Sequence, residues 1–222
     1  MPIIRDEDAV QLRAHLRERL AGPVTIDYFM PGVSKPFVPG RESGIRDDAR
    51  ELLEEVAGLS EKIALTVHDS PREALLMAGM EVDRAPAIVL AGRAKGRVRY
   101  FGIPGGYEFG SFLAGLVDVG NGQTDLSEQT TKALRGLVKD VRIRVFVTPT
   151  CPFCPAAASL AQKMAVESQR VTADIVEANE FSDLAERYNV RGVPKVVVNE
   201  STGFVGAQPE ARFLEYVLRA AA

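Results

Sequence analysis

Residues 6 to 20 set Val10, Leu12, Leu16 and Leu20 at helical spacing, with acids at the start and arginines later, and so predict an amphipathic helix aligned with its own dipole. Gly22-Pro23 stops it. Val24 to Phe29, β-branched and aromatic, predicts a strand, and the breaker-rich stretch Met30 to Gly40 predicts a loop. A helix is expected from Asp47 to Ala57, a strand from Ile63 to Val67, and a short helix opened by Asp69-Ser70-Pro71. Beyond Arg84-Ala85-Pro86, the strands Ala87 to Leu90 and Arg97 to Phe101 flank a turn at Ala91-Gly92-Arg93, and a helix from Tyr107 to Val117 follows.

The same order of elements then comes round again. Asp125 with Glu128 three residues on is a capping-box pattern, opening a helix that carries Leu126, Leu134, Leu137 and Val138. Ile143, Val145 and Val147 alternate with Arg144 and Phe146 as a strand does, and Ala156 to Val166 has helical composition. A strand over Val171 to Val176, a short helix from Ser182 to Tyr188, a strand Lys195 to Val198, a turn over Asn199 to Gly203, a short strand Phe204-Val205 and a helix through Phe213, Val217 and Leu218 complete the series. Pro86 and Pro194 hold matching places, each ahead of an apolar strand. The chain therefore reads as α/β, two copies of one βαβ-then-ββα unit, over 1–120 and 121–222, with Asn121-Gly122-Gln123-Thr124 as the junction.

Composition narrows the function classes. With 46% hydrophobic and 26% charged residues, the 222-residue chain can bury a real core. A net charge of −3 without a long basic run argues against nucleic acid as the main partner. The N-terminus turns acidic at Asp6-Glu7-Asp8, where a signal peptide would need its apolar core, and no apolar run approaches membrane-spanning length. A cytoplasmic protein with no membrane partner is expected.

The two cysteines lie together, as Cys151-Pro152-Phe153-Cys154, directly after the strand ending at Val147. At a strand-to-helix junction, the unpaired N–H groups of the first helical turn and the positive end of the dipole favour a thiolate on the first cysteine. Cys151 is thus the expected nucleophile, and Cys154 is placed to attack a mixed disulfide formed on Cys151. Pro152 suits the first helical positions, where a missing N–H costs little. A lone pair of this kind, with no other cysteine, fits a reducing compartment and a redox role. No acid stands beneath the pair on the preceding strand, where Val145-Phe146-Val147 lies; Glu177, ending the next strand, is the candidate proton acceptor for Cys154, the alternative being a surface glutamate at a strand end.

Phe146 to Pro155, Asp174-Ile175-Val176-Glu177-Ala178, Tyr188-Asn189-Val190 with Val193-Pro194-Lys195, and Arg84-Ala85-Pro86-Ala87 with Arg99-Tyr100-Phe101-Gly102 together resemble the glutaredoxin-like protein disulfide oxidoreductases, two-unit thioredoxin-fold proteins of thermophilic archaea and bacteria. The likeness runs over nearly the whole chain. Members of that family often carry a C-x-x-C in each unit, whereas the loop from Met30 to Phe37 holds no cysteine, so one redox centre remains. The resemblance implies two tandem thioredoxin-fold units, each a mixed sheet flanked by helices. It further implies a cis Val193-Pro194 peptide lying against the cysteines, with Ala85-Pro86 as its counterpart. Thr150, Pro152, Phe153, Gly192, Val193 and Pro194 would then line the groove that receives a protein disulfide. No cofactor would be bound, and electrons would come from NADPH through a thioredoxin reductase-like flavoprotein.

Other readings remain open at this level. A two-unit thioredoxin fold with only its second unit active also resembles the N-terminal module of the alkyl hydroperoxide reductase flavoprotein, which implies a dedicated electron carrier to a peroxiredoxin. A non-catalytic peptide-binding or chaperone-like module would leave the thiols incidental. A C-x-x-C is also half of a zinc site, but tetrahedral zinc needs four ligands, and the chain offers only His15, on an expected surface helix, and His68, at a strand end, so no metal is expected. Arg41-Glu42-Ser43-Gly44 with Arg46-Asp47-Asp48 reads as a solvated turn or, in a redox protein, a docking rim.

Overall fold

The computed structural model describes residues 3–30, 43–69, 74–200 and 202–222. In the first half lie α1 (Asp6–Arg19), β1 (Val24–Phe29), α2 (Ser43–Ala57), β2 (Ile63–His68), α3 (Ala74–Gly79), β3 (Ala87–Ala91), β4 (Arg97–Phe101) and α4 (Glu108–Asn121). The second half repeats them as α5 (Glu128–Arg135), β5 (Val141–Val147), α6 (Cys154–Glu167), β6 (Val171–Glu177), α7 (Ser182–Arg187), β7 (Lys195–Val198), β8 (Thr202–Val205) and α8 (Glu210–Ala221). The loop expected from Met30 lies, after Met30 itself, outside the described residues, as do Arg41-Glu42 and the Ser70-Pro71 start of the short helix.

Strand order follows from the repeat. The first half pairs as β2-β1-β3-β4 and the second as β6-β5-β7-β8, each with one parallel and two antiparallel ladders. β4 and β6 then pair in parallel, with Arg99 opposite Asp174, so the two expected sheets are one eight-stranded sheet. Alternation along the strands gives that sheet two unlike faces. One carries Val141, Ile143, Val145, Ala173 and Ile175 and is buried beneath α1, α2, α4, α5, α6 and α8. The other carries Phe29, Phe101, Phe146 and Val176 and is packed by Leu184 of α7 and by Met77 and Met80 around α3.

The seam between the halves is dense. Arg99 and Asp174 are both 0% exposed, and the Arg99 Nε donates to Asp174 Oδ1 at 2.7 Å. Arg142 Nε donates to the other carboxylate oxygen at 2.5 Å. On the opposite face, the turn after β3 caps the end of α6, with Lys95 and Gly96 N–H groups donating to the Val166 and Ala165 carbonyls. Glu167 completes this corner by accepting from Lys95 Nζ at 2.9 Å and from Thr124 Oγ1 at 3.0 Å.

Three expectations change in detail. The helix after the junction is capped by Ser127, whose hydroxyl accepts from Thr130 N–H at 3.3 Å, because the Asp125 carboxylate is engaged by Lys163 of α6 at 2.5 Å. Leu134 is buried but Val138, past the end of that helix, is 79% exposed. Val10 likewise points to solvent, and α1 docks through Leu16, with Leu20 just beyond it. His68 is buried, its Nε2 2.8 Å from Asp27 Oδ1 and its ring stacked on Phe29.

Asp174→Ala would leave the Arg99 guanidinium buried without its counter-charge, and removing one partner of a buried pair costs about 3–5 kcal/mol. The expected outcome in urea unfolding followed by far-ultraviolet circular dichroism is a loss of that size. A loss below about 1 kcal/mol, the range of an exposed pair, would show that strand pairing alone holds the seam.

Candidate redox-active site

β5 delivers the chain to the junction at Thr148-Pro149-Thr150, and α6 begins at Cys154. Cys151 and Cys154 form a disulfide with their Cα atoms 5.5 Å apart. Cys151 is 8% exposed and Cys154 0%, so the first sulfur is the one reached from solvent. The proline inside the first turn of α6 is Pro155, while Pro152 precedes the helix. Both sulfurs therefore sit at the positive end of a helix, where a negative charge is favoured.

Around the pair the structure assembles residues from three loops. Thr150, Pro152 and Gly192 are exposed and Phe153 is 67% exposed; Val193 is half-buried and Pro194 buried. Val193-Pro194 is a cis peptide, as is Ala85-Pro86 in the first half. The Val193 carbonyl oxygen stands 3.7 Å from Cys151 Sγ. Gly192 lies next to Val205, itself 58% exposed. Tyr107, at the start of α4, joins this rim: it is 57% exposed and its N–H donates to the Pro149 carbonyl at 2.9 Å. Gly106 makes that approach possible, with φ at +59° and its Cα so close to the Pro149 carbonyl that a side chain could not fit.

Glu177 is 5% exposed, not a surface residue. Both of its carboxylate oxygens are engaged, accepting from Asn179 Nδ2 at 2.8 Å and from the Glu180 N–H at 2.6 Å.

A second buried acid, one that the chain pattern does not reveal, opens α4, whose start meets the loop ahead of the pair where Tyr107 N–H donates to the Pro149 carbonyl. Helices α4 and α6 pack side by side, with Gly115 against the Gln162 side chain and Asp118 facing Lys163 and Glu167. They thus run in the same direction, and two turns back from Gly115 and Gln162 bring Glu108 level with Cys154. Glu108 is 2% exposed. Its Oε2 accepts from the Ser111 hydroxyl at 2.9 Å, and its Oε1 is buried with no partner among the described residues. Burial pushes its carboxyl up to about 7, against the pull of the Ser111 hydrogen bond. The same pocket pushes up the Tyr100 hydroxyl, by burial and then by the charge of Glu108, although Gln162 Nε2 donates to that oxygen. In sequence Glu108 is indistinguishable from any acid opening a helix; only the packing of one half on the other sets it at this depth.

Among the described residues, no group of three or more His, Cys, Asp or Glu is arranged to hold a metal ion, and no helix is long and apolar enough to cross a membrane.

A solvent-reached disulfide at a strand-to-helix junction of a twice-repeated thioredoxin fold is the signature of thiol–disulfide exchange proteins. Comparison with known proteins agrees. The family model for the thioredoxin domain matches residues 141–219. Thioredoxin of Methanocaldococcus jannaschii is 31% identical over 78 residues, which are 35% of this chain and 92% of that protein. An alkyl hydroperoxide reductase polypeptide of Pseudomonas aeruginosa is 24% identical over 178 residues, 77% of this chain and 32% of that protein; the chain spans about a third of the length of this relative. The crystal structure of a protein disulfide oxidoreductase from Aeropyrum pernix superposes with a TM-score of 0.86 and 27% identity, over 98% of this chain and 94% of that one. The chain belongs to the thioredoxin family. Its second half has the fold of that family's domain, with the Cys151–Cys154 disulfide at the strand-to-helix junction.

Because burial raises the folded-state carboxyl of Glu108 from 4.5 to about 7, the folded chain holds that proton more tightly than the unfolded one. The stability this contributes is fully present below the unfolded value and is lost as pH rises through about 7, a change of about 3 kcal/mol. Urea midpoints measured at about pH 5 and about pH 8 are expected to fall with pH in the wild type and to fall distinctly less in Glu108→Gln; equal slopes would mean that Glu108 titrates normally.

Proposed function

We propose that the protein performs dithiol–disulfide exchange on protein disulfides through the Cys151-Pro152-Phe153-Cys154 motif, with residues 121–222 as the redox unit and 1–120 as a unit that carries no cysteines. The observation that carries this reading is the asymmetry of the pair: an accessible Cys151 in front of a fully buried Cys154. The Cys151 thiolate attacks one sulfur of the substrate, forming a mixed disulfide and expelling the other sulfur as a thiolate that takes up a proton. The Cys154 thiol then gives its proton to a carboxylate and attacks Cys151 Sγ. The internal disulfide closes, the second substrate sulfur leaves and is protonated, and two electrons have passed to the substrate.

Glu108 is the acceptor this reading favours. Its Oε1 is unpartnered and its affinity for a proton is tuned near neutrality, whereas both oxygens of Glu177 are committed to Asn179 and Glu180. Phe153, Val193 and Val205, with Tyr107 from the other unit, make the apolar rim on which an extended substrate segment would lie. Thr150, Pro152, Gly192 and Pro194 frame the same opening. The oxidised pair would be recharged by an NADPH-dependent, thioredoxin reductase-like flavoprotein.

A second reading follows from the breadth of one comparison. The likeness to the Pseudomonas aeruginosa alkyl hydroperoxide reductase polypeptide covers both units and not the cysteine-bearing one alone. It supports a dedicated carrier that passes electrons from such a flavoprotein to a peroxiredoxin.

Insulin reduction driven by NADPH and a thioredoxin reductase distinguishes the two. Turnover is expected in the wild type and none in Cys151→Ser or Cys154→Ser, with Cys154→Ser trapping a mixed disulfide through Cys151. Absence of insulin turnover alongside fast reduction of a peroxiredoxin would instead establish the carrier. Glu108→Gln is expected to slow closure of the internal disulfide at neutral pH by on the order of a hundredfold, the low end of what a positioned base contributes, and to regain rate as pH rises and Cys154 ionises unaided. An unchanged pH profile would remove Glu108 from the mechanism.

A further inference from the structure

Among the described residues, the sheet face turned away from the cysteines is covered by two short helices, α3 and α7, and between them the central strands β4, β6 and β5 carry charge. Alternation sets Arg99, Arg142, Arg144 and Asp174 on this face, opposite the side chains that pack against α6. A cavity of about 190 Å³ opens there, with Arg84, Arg142, Arg144, Arg187 and Tyr188 around it and Phe101, Val176 and Leu184 in its wall.

Its donors outnumber its acceptors. One carboxylate, Asp174, serves Arg99 at 2.7 Å, Arg142 at 2.5 Å and Arg144 at 3.8 Å. A second, Glu200, is shared by Arg144, by the Tyr188 hydroxyl and, at 4.0 Å, by Arg187, and a third, Asp83, lies 3.7 Å from Arg84 and also acts on Arg142. Arg99 uses Nη1 on the Met80 and Glu81 carbonyls, and its buried Nη2 has no partner among the described residues. The Arg142 side chain is 30% exposed and donates through Nε alone, so both terminal nitrogens of its guanidinium lack a protein acceptor among the described residues. In a chain of net charge −3, this local excess of guanidinium is not a general property of the surface. Guanidinium forks match the oxygens of phosphate in paired, charge-assisted hydrogen bonds.

We propose that this cavity binds a small phosphate monoester, its phosphate oxygens accepting from Arg142, Arg144 and Arg187 and its carbon portion lying on Phe101, Val176 and Leu184. Three guanidinium groups around one cavity suit a tetrahedral dianion better than a planar carboxylate, and the apolar wall favours an ester over the free ion. The site draws on both units, Asp83, Arg84 and Phe101 from the first and the remainder from the second, and is independent of the disulfide chemistry on the other face.

Calorimetric titration of the oxidised full chain with glycerol 3-phosphate and, separately, with inorganic phosphate tests this, at constant ionic strength set with chloride. Saturable one-to-one binding is expected, tighter for the ester. Arg187→Ala, at a side chain 70% exposed and therefore safe for folding, is expected to weaken it about tenfold, the loss of one charged hydrogen-bonding partner. Arg142→Gln is expected to weaken it further, with circular dichroism confirming the fold. Phosphate bound as tightly as the ester, no saturable binding of either, or affinity unchanged in Arg187→Ala would each overturn the proposal.

Discussion

A guanidinium and a carboxylate that never meet water hold this molecule together as one object. Arg99 belongs to an edge strand of the first unit and Asp174 to an edge strand of the second, and the parallel ladder between β4 and β6 sets them face to face. Two isolated ions at that depth would be too costly to bury, so each strand needs the other in register for its charge to be tolerated. A slip of one residue would turn Asp174 towards α6 and leave Arg99 unopposed. The fusion of two four-stranded sheets into one is therefore specified by charge as well as by hydrogen bonding.

That fusion decides what the redox site is made of. Had the units been beads on a string, no acid of the first unit could stand beside the helix that carries the cysteine pair. Because β4 runs alongside β6, α4 lies against α6, and the acid at its N-terminal end arrives at the height of the inner sulfur. Tyr107, one residue earlier, reaches the outer rim of the same opening. The cysteine-free unit therefore touches the site at two levels, one buried and one exposed.

The sequence discloses these features unevenly, and the reason is distance along the chain. Alternation through Ile143, Val145 and Val147 and the repeat of element order are local, and they lead to the strands, the helices and the position of Cys151 and Cys154 as found. Partners far apart are silent: nothing near Arg99 announces Asp174, which lies 75 positions away. Asp125 heads a plausible capping pattern, yet Lys163 claims its carboxylate across the fold and Ser127 takes over the cap. His68 ends β2 as its sequence position suggests, but its burial beside Asp27 and Phe29 of β1 is not legible there. Glu108 is hidden for the same reason, since its burial follows from α4 packing on the sheet and on α6 and not from the residues beside it in sequence.

The contact between Gly115 and Gln162 carries a wider implication. The α4 backbone comes so near the Gln162 amide that a side chain at 115 would have to push that amide away from the Tyr100 hydroxyl it serves across the two units. Helix α6 begins with Cys154, so its seating against α4 bears on how deep the inner sulfur lies. The surroundings of the disulfide are for that reason a property of the joined pair of units and not of the four residues Cys151 to Cys154. Transplanting the tetrapeptide into a single-unit relative would carry over the chemistry without the setting that tunes it.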